Sequence, residues 1–155
     1  MRGTVETTWT AWNDSHDMIF TYAQVRVQRY FGETTGPDRL IVREAGGMVD
    51  GYMQEAIGFP AIREGEDVVL LLSQWDNSSD YRIHAFNQGK FLVKLRGEQE
   101  ILTEDPVKQG DARLGRPTKF DQNTDAIGLT LDEFAEMIDA ARAGEPIAKK
   151  PLHNN

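Results

Sequence analysis

The sequence predicts a mostly antiparallel β domain closed by one C-terminal helix. Three observations carry that prediction. Short segments of period two, rich in β-branched and aromatic residues, recur between polar turns from residue 3 to residue 95. Glycines cluster at 46, 47, 51 and 58, where a strand would need bulges or sharp coiling. Only the stretch 130–143 combines helical spacing with start and stop signals. At 155 residues the chain suits one domain around one core. A folded chain of that length buries about two thirds of the surface exposed when unfolded, so it needs no metal or disulfide staple. The domain is placed at 1–144, with a tail over 145–155.

The first strand is read from Gly3, Val5, Thr7, Trp9 and Ala11, which alternate with Thr4, Glu6, Thr8 and Thr10 and place Trp9 on the inward face. Asn13 to Asp17 is a turn, because short polar side chains there bond their own backbone. Ile19, Ala23, Val25 and Val27 form one face of a second strand, hairpinned to the first. Gly32 to Pro37 is a loop and Arg39 to Arg43 a third strand. The glycine-rich stretch ends at Gly58-Phe59-Pro60. Arg63 to Glu66 turns into Asp67–Ser73, whose run Val68-Val69-Leu70-Leu71-Leu72 marks a central strand. After the polar turn Asp76–Asp80, residues Tyr81, Ile83 and Ala85 alternate with Arg82 and His84. Asn87 to Lys90 turns again, and Phe91 to Leu95 is the last barrel strand. Residues 97–128 show no clear period and read as a surface excursion with a short hairpin around Glu100 to Thr103. Thr130-Leu131-Asp132-Glu133 is a capping box, and Leu131, Phe134, Ile138 and Ala141 share a helical face. Gly144 and Pro146 stop the helix.

The formal charge of −8, from 25 acidic and 17 basic residues, repels nucleic acid and anionic lipid. No basic patch offsets it: Lys149-Lys150 sits in the tail, and Lys90 and Lys94 stand isolated. The absence of cysteine excludes disulfides and thiolate metal sites. No apolar run approaches the ~18 residues of a membrane span, so no integral membrane segment is expected. Met1-Arg2-Gly3-Thr4 runs straight into a strand pattern, so no signal peptide is read in the chain.

Residues 3–94 resemble a group of uncharacterised exported bacterial proteins with a small OB-like β-barrel. The resemblance is carried by Gly3-Thr4-Val5, Tyr22 to Val27, Ala45-Gly46-Gly47 with Gly51, Gly58-Phe59-Pro60, Gly65 to Leu72, and Gln88-Gly89-Lys90-Phe91. It implies a five-stranded antiparallel OB-like barrel and an exported, periplasmic or extracellular location. It implies no known activity, and it leaves 97–128 uncovered.

No residues form a catalytic motif. Asp121, Asn123 and Asp125 place oxygen ligands at alternate positions ahead of the helix, with Asp132 at the twelfth position, so a calcium-stabilised structural domain is one reading. Ala126 stands where the sharp-turn glycine belongs, which favours an ordinary polar loop. Asp14, His16 and Asp17, or Asp76 and Asp80, offer weaker metal sets, since turns favour Asp and Asn for backbone reasons. Ser15, Ser73, Ser78 and Ser79 sit in no nucleophile elbow. Carboxylates that meet only in space leave a carboxylate- or metal-dependent hydrolase as an alternative. The glycines at 46–51 lack the spacing and following helix of a phosphate cradle. Asn13-Asp14-Ser15 and Asn77-Ser78-Ser79 match glycosylation sequons. The aromatic residues give the leading expectation: a non-catalytic extracytoplasmic binding module whose surface uses Trp12, Trp75, Tyr81 and Phe86, without cofactor, for a protein or carbohydrate partner.

Overall fold

The computed structural model describes residues 1–32, 35–76, 78–104 and 126–145. Two long strands, β1 (Arg2–Trp12) and β2 (Ile19–Arg29), pair antiparallel as the predicted hairpin. Asn13 closes their turn, its Oδ1 accepting from the N–H groups of Asp17 and Met18, both at 3.1 Å. Val5 faces Val25 but Thr7 faces Gln24, so Glu6 is the extra residue of a bulge. One inserted residue reverses every later side chain on the strand. Trp9 therefore points outward beside Tyr22, and the expected inward placement is corrected: its ring is 42% exposed.

Strand β3 (Arg39–Ala45) adds antiparallel to β2, and its inward residues Leu40, Val42 and Glu44 are buried. The chain then leaves the main sheet. Instead of a coiled strand, the glycine-rich stretch makes a separate two-stranded ribbon, β4 (Gly47–Val49) with β5 (Tyr52–Gln54). Asp50 and Gly51 turn it with φ of 50° and 82°, the left-handed pair of a tight hairpin turn.

The predicted central strand is broken by Leu71 into β6 (Asp67–Leu70) and β7 (Leu72–Gln74). Strand β8 (Tyr81–Ile83) pairs with β7, and a 3-10 turn over Phe86–Gly89 leads into β9 (Lys90–Arg96). The hairpin expected near residue 100 is β9 with β10 (Gln99–Glu104), so β9 is not the last strand. The resulting order β10-β9-β6-β1-β2-β3-β8-β7 is a curled, half-barrel sheet of eight strands. The expected count of five does not match. The break at Leu71 divides one long strand in two, and the segment after residue 96 adds an edge strand.

Strand β6 lies between β1 and β9 and is covered on both faces. Val68 and Leu70 join Val5, Ala23, Val25, Leu40, Val42, Ile62 and Ile83 inside the curl. Val69 faces the other way, against the helix α1 (Leu131–Ala143), with Phe91, Leu102, Leu131 and Phe134. The continuous apolar run around residue 70 thus serves two cores. Thr130 and Glu133 exchange both capping-box bonds, at 3.3 and 2.9 Å, and Gly144 ends the helix at φ 73°. Phe134 packs edge-on against Phe31 at 5.1 Å. Ala141, expected on the buried face, is exposed because packing against the sheet ends near Ile138.

Lys90 opens β9. Its ammonium is buried and donates to the Ala61 carbonyl and, at 2.7 Å, to Glu66. That partner comes from across the β6 turn, a proximity that residue spacing does not reveal. Among the described residues no helix is long and apolar enough to cross a membrane.

Candidate binding surface

The aromatic residues divide into two surfaces beside the β1–β2 hairpin. The first is a ladder on the outward face of the sheet. Trp9 of β1 lies nearly parallel to Tyr22 of β2, ring centres 5.4 Å apart. Tyr22 meets Phe20 at 6.5 Å, and Phe20 meets Trp75 edge-on at 6.0 Å. The Arg43 guanidinium lies 5.1 Å from the centre of the Phe20 ring and 4.7 Å from that of Trp75, while Arg82 lies 5.1 Å from Trp75. The Trp75 indole N–H donates to the Arg43 carbonyl at 3.1 Å, which folds the ring back over β3. The Arg43 guanidinium packs against both rings, and Phe20 is buried. The other outward arginines are also engaged: Arg26 and Arg39 pair with Glu6 at 3.2 and 2.8 Å.

The second surface is the β4–β5 ribbon, a flap against the end of the β1–β2 hairpin. Its backbone is tied down. Thr10 donates to the Met48 carbonyl at 2.6 Å, Thr21 to the Gly46 carbonyl at 2.8 Å, and Gln54 Oε1 accepts from Ile19 N–H at 2.8 Å. Gly47 sits so close that a Cβ there would come within 2.8 Å of the Thr10 methyl, at a φ of 141° that disfavours any side chain. The ribbon's side chains alternate between its two faces, Met48 and Met53 on one and Tyr52 on the other. Met48 is 63% exposed, Tyr52 66% and Met53 71%, and Ile57, just beyond β5, is 83% exposed. Met48 and Met53 are direct cross-strand neighbours, and Tyr52 touches Trp12 edge-on at 5.7 Å. Trp12 in turn stacks on His16 at 6.3 Å.

The four aromatic residues expected to share a site are thus distributed. Trp12 belongs to the flap and Trp75 to the ladder. Tyr81 is half-buried against the inner core and lines a cleft of about 480 Å3 between the sheet and α1, with Tyr30, Leu72, His84 and Ile138. Phe86 is exposed and packs edge-on against Phe59 at 5.0 Å. Residue spacing did not select Met48, Tyr52, Met53 and Ile57. The one signal for them was Asp50-Gly51 between Val49 and Tyr52, a strong short-range mark of a hairpin.

Among the described residues no group of three His, Cys, Asp or Glu side chains is placed to hold a metal. Asp121, Asn123 and Asp125 lie outside the described residues. Asp132 is exposed at the first turn of α1 and accepts from Arg29 at 3.1 Å. In the first turn, Asp17 accepts from Asn13 at 2.6 Å and Ser15 at 2.9 Å. Those bonds, that of Asn13 foremost, lower its pKa and keep it ionised.

Glu44 has the most perturbed carboxyl of the described part. Burial inside the curl raises its pKa to about 7, against which the Ile83 N–H bond and the charge of Arg82 act. Arg82 is the only charge that acts on it among the described residues. The carboxyl is enclosed in the core and lies beside an arginine. No family model, curated protein or solved structure matches the chain.

Proposed function

We propose that this chain is a non-catalytic binding module, acting outside the cytoplasm, that docks a protein partner on the flap. The observation that carries the reading is the exposure of Met48 and Met53, cross-strand neighbours on one face of a ribbon held by hydrogen bonds from β1 and β2, with Ile57 exposed just beyond it. Isolated exposed apolar side chains are ordinary, but an adjoining exposed pair on a ribbon fixed to the sheet supports an interaction surface. Methionine suits such a surface because its unbranched, polarisable side chain adapts to a partner. The outward side chains offer few hydrogen-bonding groups, which favours protein over carbohydrate. The extracytoplasmic placement rests on the resemblance of residues 3–94 to exported proteins.

An OB-like reading of the fold has its own support. Leu71 donates its N–H to Gly89 at 2.8 Å and accepts from His84 at 2.8 Å, so pairing continues across the break between β6 and β7. Counting 67–74 as one strand gives the circuit β1, β2, β3, β8 and back to β1, with β3 and β8 parallel.

A photocrosslinking amino acid at position 57 tests the docking surface in an extracytoplasmic fraction of the source cells. The expected result is a small set of discrete adducts, lost when Met48 and Met53 are both changed to Ser. Adducts indifferent to those changes, or equal labelling from position 95 on β9, would remove the flap as the interface.

A further inference from the structure

We infer that the flap's partner presents a cationic amphipathic helix, an apolar face edged by Lys or Arg. This rests on the flap being a docking surface and adds the chemistry of the occupant. The support is the charge around the apolar side chains. Between Ala45 and Ile62 the chain carries Asp50 and Glu55 and no lysine or arginine, and both acids are exposed. The adjoining turn, joined to the flap through Trp12 and Tyr52, adds exposed Asp14 and Asp17. Asp17 is held ionised by Asn13 and Ser15. The nearest cations along the chain are committed elsewhere: Arg43 lies between two rings with Asp80 3.7 Å away, and Arg63 pairs with Glu66 at 2.9 Å.

Exposed methionines whose charged neighbours along the ribbon, Asp50 and Glu55, are both acidic select their partner by complementarity. A neutral partner would bring apolar faces together but leave the negative charge of Asp50 and Glu55 uncompensated, and an acidic one would be repelled by it. An anionic bilayer is opposed by the same charges. A helix with apolar anchors three and four residues apart and basic residues flanking them satisfies both the methionines and the acids.

The test is titration of the whole protein with a synthetic amphipathic helix of leucine and lysine, against one of leucine and glutamate. The Leu/Lys helix should bind saturably at one site and weaken with added salt. Met48→Ser with Met53→Ser should weaken it by about tenfold or more. Asp50→Lys with Glu55→Lys should weaken it by a similar factor, about tenfold. Glu136→Lys with Asp139→Lys, the same charge change on exposed positions of α1, should leave it unaltered. Equal loss from the α1 variant would trace the attraction to net charge and overturn the inference. Flap-dependent binding of the Leu/Glu helix, or flap-dependent binding to phosphatidylglycerol vesicles, would overturn it too. Flap-dependent Leu/Glu binding would still leave the flap a protein-docking surface. Failure of both helices to respond to the methionine changes, with crosslinks from position 57 equally indifferent, would remove the docking surface itself.

Discussion

The outward ladder and the flap lie at the same hairpin and both carry large apolar side chains, yet those side chains are spent differently. In the ladder, Trp9, Tyr22, Phe20 and Trp75 touch in sequence, and Arg43 fills the space between two of them. In the flap the backbone is hydrogen-bonded while Met48, Met53 and Ile57 reach into solvent. Aromatic content alone therefore does not locate an interface. What separates the two is whether the apolar surface is already covered by the protein's own groups. Covered surface contributes to folding, and uncovered surface is left for association.

The sharpest way to break that contrast is to truncate the ladder where it is most covered. Phe20→Ala removes a buried ring that meets Tyr22, Trp75 and the Arg43 guanidinium. Large-to-small changes of this kind cost about 3–5 kcal/mol. Urea unfolding followed by far-UV circular dichroism should show a loss of that order. A loss below ~1 kcal/mol would mean that the rings on this face are ornamental and as available to a partner as the flap.

The strand that carries Arg43 outward carries Glu44 inward, and this makes a second test. The Glu44 pKa is raised by burial from 4.5 to about 7, so the folded state holds its proton more tightly than the unfolded chain does. The stability from this group is then fully present below pH 4.5 and is lost as pH rises through about 7. The loss is on the order of 3 kcal/mol. Glu6 and Asp17 act with the opposite sign. Their pKa values are lowered, Glu6 chiefly by Arg39 and Asp17 chiefly by Asn13, so their contribution is present above the ordinary carboxylate range and fades as pH falls. Comparing Glu44→Gln with the parent cancels those terms. The variant should lack the decline between pH 4.5 and about 7, and should be the more stable of the two in mildly alkaline buffer. Parallel pH profiles for the two proteins would show that the Glu44 proton does not differ between folded and unfolded chains.

The same contrast explains what could be read from residue order. Features set by a few neighbouring residues were legible: the Asn13 turn, the Thr130–Glu133 capping box, the Gly144 stop and the doubly covered run at 68–70. Trp9 was misplaced because nothing in Thr4 to Thr10 announces that Glu6 is an extra residue. The register shift appears only once β1 is paired with β2. The pairing of Lys90 with Glu66 is not legible either, because the two are remote in sequence. The flap is an intermediate case. Asp50-Gly51 carries a signal for its turn, but the glycines among Met48, Val49, Tyr52 and Met53 read as a bulged or sharply coiled strand. Whether such a strand is covered depends on a third element that local pattern cannot supply.

The smallest effect is expected where the flap is most exposed, and its smallness is what gives the test force. Met48→Ser with Met53→Ser removes two adjoining apolar side chains but no hydrogen bond, because Thr10, Thr21 and Gln54 hold the flap through its backbone and the Ile19 N–H. Exposed substitutions of this kind shift stability by about 0.5 kcal/mol or less. The unfolding midpoint should therefore stay close to that of the parent, while Phe20→Ala moves it strongly. A loss comparable to that of Phe20 would mean that the methionines are covered in solution, by self-association or by part of this chain. That outcome would turn the flap from a docking surface into a piece of core. An unchanged midpoint with weakened capture of a cationic helix would place folding energy in the ladder and binding energy in the flap.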